Sequence, residues 1–274
     1  AIMKHDLVLK GGKLVTANET FIADIGIKGG KITTLGESLD GYDVINADKK
    51  LVMPGGIEAH CHIAQESGMG VMTSDDYETG SISAAFGGNS SFVPFAAQKK
   101  GESISDTLDE YDRRAKRKSV IDYSYHLILT DPNQDVLNEL PSAFERGITS
   151  FKVFMTYQTR VTDAQFLDIL TVARRHGGLT MVHAENHDML SWMSNALTQA
   201  GYTEPRYHAP ARPGIAEEEA INRAISLSKL ANAPLMIVHV STPTGAELVA
   251  KARMDGAYVF SETCPQYIFL TRED

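Results

Sequence analysis

Cysteine is almost missing from these 274 residues: Cys61 and Cys264 are the two present, too few for a disulfide framework and suited to a reducing compartment. Long apolar runs are absent too. No stretch approaches the roughly 20 residues that a membrane helix needs, and the first residues form no secretory signal pattern. The expectation is a soluble, cytoplasmic protein with no membrane partner. Ala1-Ile2 ahead of Met3 carries no functional reading. Nor is there a surplus of positive charge, since 26 Lys and Arg stand against 35 Asp and Glu for a formal net charge of -9. Phosphate binding needs a concentrated basic surface. The one basic cluster, Arg113 to Lys118, reads as the solvated end of a helix, so no nucleic-acid partner is expected. Gly55-Gly56 and Gly87-Gly88 punctuate turns, and neither continues into a phosphate-binding loop.

What is present is the composition of an ordinary globular enzyme or binding protein, 43% hydrophobic and 22% charged, with enough chain for one α/β barrel or two smaller domains. From Asp6 to about Met53 short β-rich segments alternate with glycine pairs, Gly11-Gly12 and Gly29-Gly30. These read as hairpins of a small sheet of three or four strands, which needs partners from elsewhere. After Pro54-Gly55-Gly56 the rhythm becomes apolar strand, loop, helix and strand again, the pattern of parallel βα units. Strands are expected at residues 56–63, 90–96, 121–129, 149–157, 179–184, 234–240 and 257–262. Helical spacing covers 164–175, 189–199 and 217–231, and Ser103 and Asp163 signal helix starts. The reading is a (β/α)8 TIM-type barrel over 54–274, seven βα units long, preceded by a β-sheet portion over 1–53. An eighth strand is expected after Thr271-Arg272-Glu273-Asp274, so the chain reads as truncated.

The chemistry lies at the strand ends. His60 and His62 flank Cys61, and an i, i+2 pair on a strand points both imidazoles to one face. Lys152 sits inside the apolar run Ser150-Phe151-Lys152-Val153-Phe154-Met155. Burying an ammonium requires either an ion pair or chemistry that removes the charge, such as addition of carbon dioxide to give an anionic carbamate. His183 and His239 each close a strand of their own. In a TIM barrel those ends gather on one face, where active sites are built, and four histidines with a buried lysine there point to a metal site. Two metals could share a hydroxide and polarise a carbonyl. Tyr157, five residues beyond Lys152, could donate to the oxyanion. His5, His176 and His187 read as solvated or capping residues and His126 as packed core. Cys264, before Pro265, lacks the partners of a nucleophile.

This constellation resembles the amidohydrolase superfamily and, within it, the dihydropyrimidinase and D-hydantoinase family. The matching stretches are Pro54-Gly55-Gly56-Ile57-Glu58-Ala59-His60-Cys61-His62, Gly147 to Tyr157, Val182-His183-Ala184-Glu185-Asn186, Tyr207-His208-Ala209, Val238-His239-Val240 and Glu262-Thr263-Cys264-Pro265-Gln266-Tyr267. They span nearly the whole chain in the family's order. The resemblance implies zinc-dependent ring opening of 5,6-dihydropyrimidines or hydantoins to N-carbamoyl amino acids. It assigns His60 and His62 to one of two divalent ions, His183 and His239 to the other, and carboxylated Lys152 to the bridge. Tyr157 corresponds to the oxyanion-stabilising tyrosine. A homotetramer is also implied, with the N-terminal sheet completed as a β-sandwich by strands from the C-terminal end. One family ligand, an aspartate at the end of the eighth strand that also shuttles a proton, has no counterpart here. Cys61 is less usual than Thr or Val at its position, and its side chain should face away from the metals.

Two rival readings remain. Allantoinase-like and dihydroorotase-like enzymes share the chemistry, but dihydroorotase-like ones place an arginine after the histidine pair, where this chain has Ile63-Ala64-Gln65. That favours an uncharged cyclic ureide or imide as the small-molecule substrate, with hydantoin and dihydropyrimidine both open. A non-catalytic dihydropyrimidinase-related scaffold would lack metal ligands, and those expected within this range are present.

Overall fold

The computed structural model describes residues 4–68, 70–271 and 273–274; Ala1-Ile2-Met3 and Arg272 of the closing tetrapeptide lie outside them. The chain divides into two compact units, Ala1–Gly56 and Ile57–Asp274.

The first unit is a five-stranded sheet of β1 (His5–Val15), β2 (Thr20–Lys28), β3 (Lys31–Gly36), β4 (Gly41–Asn46) and β5 (Leu51–Val52), ordered β3-β2-β1-β4 with β5 also beside β1. The two glycine pairs do different work. Gly29-Gly30 is a hairpin turn, with φ of 58° and 73°, values a type I′ turn requires and glycine adopts without penalty. Gly11-Gly12 is not a turn. β1 runs straight through it, shifting register against β2 between Leu9 and Gly12, as a β-bulge does. A Cβ on Gly12 would lie 2.5 Å from Val52 Cγ2. β4 and β5 then pair parallel to β1, so the sheet is not a simple meander. Its small core is Leu14, Ala23 and Ile25, while Ile22, Ile32, Tyr42 and Val44 are exposed. His5 is buried rather than solvated, its ring bound to the Asp40 carbonyl and the Thr34 hydroxyl.

The second unit is a curled, mainly parallel sheet wrapped in helices. Its strands are β6 (Gly56–Cys61), β7 (Asn89–Ala97), β8 (Asp122–Tyr123), β9 (His126–Ile128), β10 (Ser150–Phe154), β11 (Leu179–His183), β12 (Leu235–Ile237) and β13 (Val259–Ser261). The spatial order β6-β7-β9-β10-β11-β12-β13 follows the chain, with β8 beside β7. One expected strand, 121–129, is thus two short ones. The helices are α1 (Tyr77–Phe86), α2 (Ile104–Ala115), α3 (Gln134–Glu145), α4 (Asp163–Arg175), α5 (His187–Gln199), α6 (Gly214–Ala231) and α7 (Pro243–Met254). Ser103 caps α2 as its sequence suggests, but α4 is capped by Thr162, whose hydroxyl accepts from Gln165 N while the Gln165 side chain accepts from Thr162 N. That reciprocal pair satisfies two otherwise orphaned amides. Gly177, at φ 75°, turns the chain out of α4 toward β11. The basic cluster is less solvated than its composition suggests: Arg114 pairs with Glu110 and donates to the Ala64 carbonyl. No helix among the described residues is long and apolar enough to cross a membrane.

Strand alternation sorts the side chains into two layers. Phe92, Ala96, Phe151, Val153, Val182, Leu235, Ile237 and Val259 join the large core under the helices. Residues of opposite parity, Phe95, Ile128, Met181 and Val238, form a smaller cluster on the inner face. Lys152, between Phe151 and Val153, has the inner parity and is 1% exposed.

Candidate metal centre

Lys152 and His183 reach the inner face by the same parity rule, whereas His239, in step with the helix-side Ile237, is brought there by a break in the strand. His60 and His62 leave β6 together, with ring centroids 5.5 Å apart. His183 ends β11 and His239 follows β12, and their rings lie 4.7 Å apart. His60 and His239 close the group at 5.6 Å. Beneath them Lys152 places its Nζ 4.8 Å from the Phe95 ring centre and 5.2 Å from that of Phe154. Phe95 also packs on His60 at 4.8 Å and stacks on His62 at 4.5 Å, so one aromatic ring floors the cluster. Cys61 packs against the helix-side core instead, and burial pushes its thiol up to about 12. It takes no part.

Each of three imidazoles is held through one ring nitrogen, leaving the other free. His60 Nδ1 donates to Glu262, just past β13, which also ties one edge of the curled sheet to the other. His62 Nδ1 donates to Gln65 Oε1 at 2.8 Å. His183 Nε2 donates to Glu185 Oε2 at 2.5 Å. The ring nitrogens that these bonds leave available are Nε2 of His60, Nε2 of His62 and Nδ1 of His183. Oxygen partners behind the imidazoles are the usual support of metal-ligating histidines. Burial holds His239 down at about 3 and keeps His183 below its ordinary value; it also lowers His62, whose edge is open to solvent while its body is crowded by Phe95 and its neighbours. Neutral imidazoles are the form that binds a metal.

Lys152 has neither an ion pair nor a hydrogen bond on its Nζ among the described residues. Burial lowers it to about 7 against an opposing pull from Glu262, so a large share is neutral amine at physiological pH. Among the described residues no three of His, Cys, Asp and Glu form a ready cage for one ion. The histidines come in twos, with the Lys152 side chain beneath them. Four clustered imidazoles around a buried amine with no ion pair among the described residues fit a pair of divalent ions.

Tyr157 follows β10 in the left-handed region, at φ 69°, and His239 is also there, at φ 39°. Such backbone costs on the order of 1–3 kcal/mol for a residue with a Cβ, and here it turns both side chains toward the cluster. The Tyr157 ring lies 5.1 Å from His183. Burial raises its phenol above the ordinary range, keeping it a proton donor at neutral pH. The other histidines are occupied elsewhere. His126 bonds the Ser150 hydroxyl at 2.5 Å and the Ala59 carbonyl at 2.9 Å, bolting three strands. His187 lies between Thr156 and Ser191 at 3.4 Å each, with Asn186 as the cap. His176 ends α4.

Similarity to known proteins runs along nearly all of this chain. It is 42% identical over 268 residues to a D-hydantoinase of Geobacillus stearothermophilus, covering 96% of this chain and 57% of the relative. It is 40% identical over 272 residues to one of Ralstonia pickettii, covering 98% and 59%. Over these residues the chain is similar to the D-hydantoinase and dihydropyrimidinase family. Solved structures agree: a D-hydantoinase superposes with a TM-score of 0.95 at 40% identity, covering 98% of this chain and 59% of that one. The dihydropyrimidinase of Brevibacillus agri does so with 0.94 at 41%, covering 98% and 59%. No family model matches. The chain therefore spans somewhat under three fifths of the length of these hydantoinase-family relatives.

Glu185, Glu262, Gln65, Phe95 and Arg212 were not singled out from the sequence, although Glu185 and Glu262 stand inside the motifs that carry the resemblance. Parity could have found Phe95, which falls on the opposite face from Phe92. Nothing local could have found Glu262, which meets His60 across 202 positions.

Proposed function

We propose that this chain belongs to an enzyme that opens cyclic amides, hydantoins or 5,6-dihydropyrimidines, by hydrolysis to N-carbamoyl amino acids. The observation that carries the reading is the convergence of four histidines on a buried lysine that has no ion pair among the described residues. His60 and His62 would hold one divalent ion, His183 and His239 the other, with zinc the natural choice for imidazole donors. When bound, such a pair supplies Lewis acidity and a water activated at neutral pH. Lys152 Nζ, half neutral near pH 7, can add to the carbon of carbon dioxide and release one proton, leaving an anionic carbamate that would supply two oxygen donors. The Tyr157 phenol donates to the oxygen of the ring carbonyl as negative charge develops on it. Phe95 and Phe154 keep bulk water away from Lys152.

On the same reading the curled sheet is most of a (β/α)8 barrel, the N-terminal sheet is part of a β-sandwich, and the assembly is a cytoplasmic homotetramer. The test is ring opening of hydantoin and dihydrouracil, with metal content measured in parallel before and after chelation. Turnover that falls with zinc and returns with it is expected. Full turnover after verified removal of zinc would overturn the metal mechanism.

A further inference from the structure

We propose that Glu185 and Arg212 act together as positioning residues that set both the ring nitrogen His183 offers and the pose of Tyr157. The inference rests on the hydrolase reading just given. Two residues beyond His183, the Glu185 carboxylate reaches back to the His183 ring, and its Oε2 accepts from Nε2 at 2.5 Å. The same oxygen accepts from Nη1 of Arg212, which arrives from the turn ahead of α6. The Arg212 guanidinium then lies over the Tyr157 ring, its central carbon 5.2 Å from the ring centre, and Tyr157 packs against His183 at 5.1 Å. The four groups close a loop in which each member touches two others. His183 and Tyr157 are the members that face the site, and Glu185 and Arg212 stand behind them.

The chemistry of the pair explains why both are needed. A carboxylate beside an imidazole fixes which nitrogen carries the proton, and here it leaves Nδ1 as the free lone pair. A carboxylate alone could swing away. Arg212 holds it with a charged donor while keeping a planar face for the phenol, a combination that lysine lacks. Because Glu185 neutralises Arg212, the guanidinium is not free to grip an anionic substrate, in agreement with an uncharged ring.

The experiment compares the wild-type chain with Glu185→Leu, Glu185→Gln, Arg212→Met and Arg212→Lys, with near-ultraviolet circular dichroism to show that each is folded. Nitrogen-15 NMR of the histidine rings reads the His183 tautomer without metal or substrate. The wild type is expected to show a single form protonated at Nε2, and Glu185→Leu a mixture. Should Glu185→Leu not fold, Glu185→Gln replaces it and is expected to retain the tautomer while releasing Arg212. Zinc affinity of Glu185→Leu is expected to fall about 10- to 100-fold. In turnover, Arg212→Met should lower kcat by at least tenfold with KM within twofold, and Arg212→Lys should fall between it and the wild type. An unchanged tautomer in Glu185→Leu, or wild-type kcat in Arg212→Met, would overturn the proposal. A wild type that binds no zinc and opens no ring would instead remove the hydrolase reading, while the NMR comparison would still decide the Glu185–His183 arm.

Discussion

The two faces of the curled sheet are made from the same strands and have opposite characters. Toward the helices, Phe151, Val153, Val182 and Leu235 are fully buried and wholly apolar, and their contribution is burial of surface. Toward the inside the intervening positions are Phe95, Lys152, Met181 and His183, a thin apolar floor carrying amine and imidazole groups. A shift of one residue along β10 exchanges Phe151 for Lys152 and so exchanges stability for chemistry. The comparison teaches that a buried charge need not be a structural element. The inner face keeps polar groups that lower stability, and the outer face supplies the surplus that tolerates them.

Substitutions at neighbouring positions should therefore have opposite signatures. The largest effect is expected for Lys152→Met, which should lower ring opening about 10³-fold or more, since it removes several kcal/mol of metal-linked transition-state stabilisation. Urea denaturation of the metal-free variant should show stability maintained or raised, because a buried amine without a partner is gone. Phe151→Ala, one residue away, should cost about 3–5 kcal/mol in the same denaturation experiment, with zinc bound per folded chain unchanged. If Lys152→Met proved the less stable of the two, the division of labour between the faces would be wrong. Tyr157→Phe should reduce kcat about 10²- to 10³-fold while leaving the denaturation midpoint near that of the wild type.

The smallest expected effect is a pH dependence of the metal-free chain. His239 is held at about 3 and His183 below its ordinary value, so between 6.5 and about 3 the unfolded chain binds protons that the folded chain refuses. Stability should be full above pH 6.5 and decline as pH falls toward 3. Denaturation midpoints measured across that range should shift downward, and a flat profile would mean that the imidazoles are not buried as described.

Much of this was legible in the sequence because strand parity and strand ends are local. The i, i+2 spacing of His60 and His62, and the lone lysine within Phe151-Lys152-Val153, each specify a face without knowledge of any neighbour. The sheet order was legible because successive βα units pair in chain order. Three features were not. The bulge at Gly11-Gly12 and the turn at Gly29-Gly30 are the same dipeptide, and tertiary contacts such as Val52 and Ala47 beside Gly12 distinguish them. The bonds that orient the imidazoles come from Glu262, Gln65 and Glu185, whose partners are fixed by tertiary contact. Arg212 precedes a proline at a turn, and nothing in its neighbours says that its guanidinium ends over Tyr157.

The central claim is that the inner face binds two metals through four histidines with Lys152 as the bridge. Zinc bound per chain at equilibrium, in the wild type and in Lys152→Ala, tests it most directly. The account predicts two zinc ions in the wild type and at most one in the variant. Two ions retained by Lys152→Ala would contradict it.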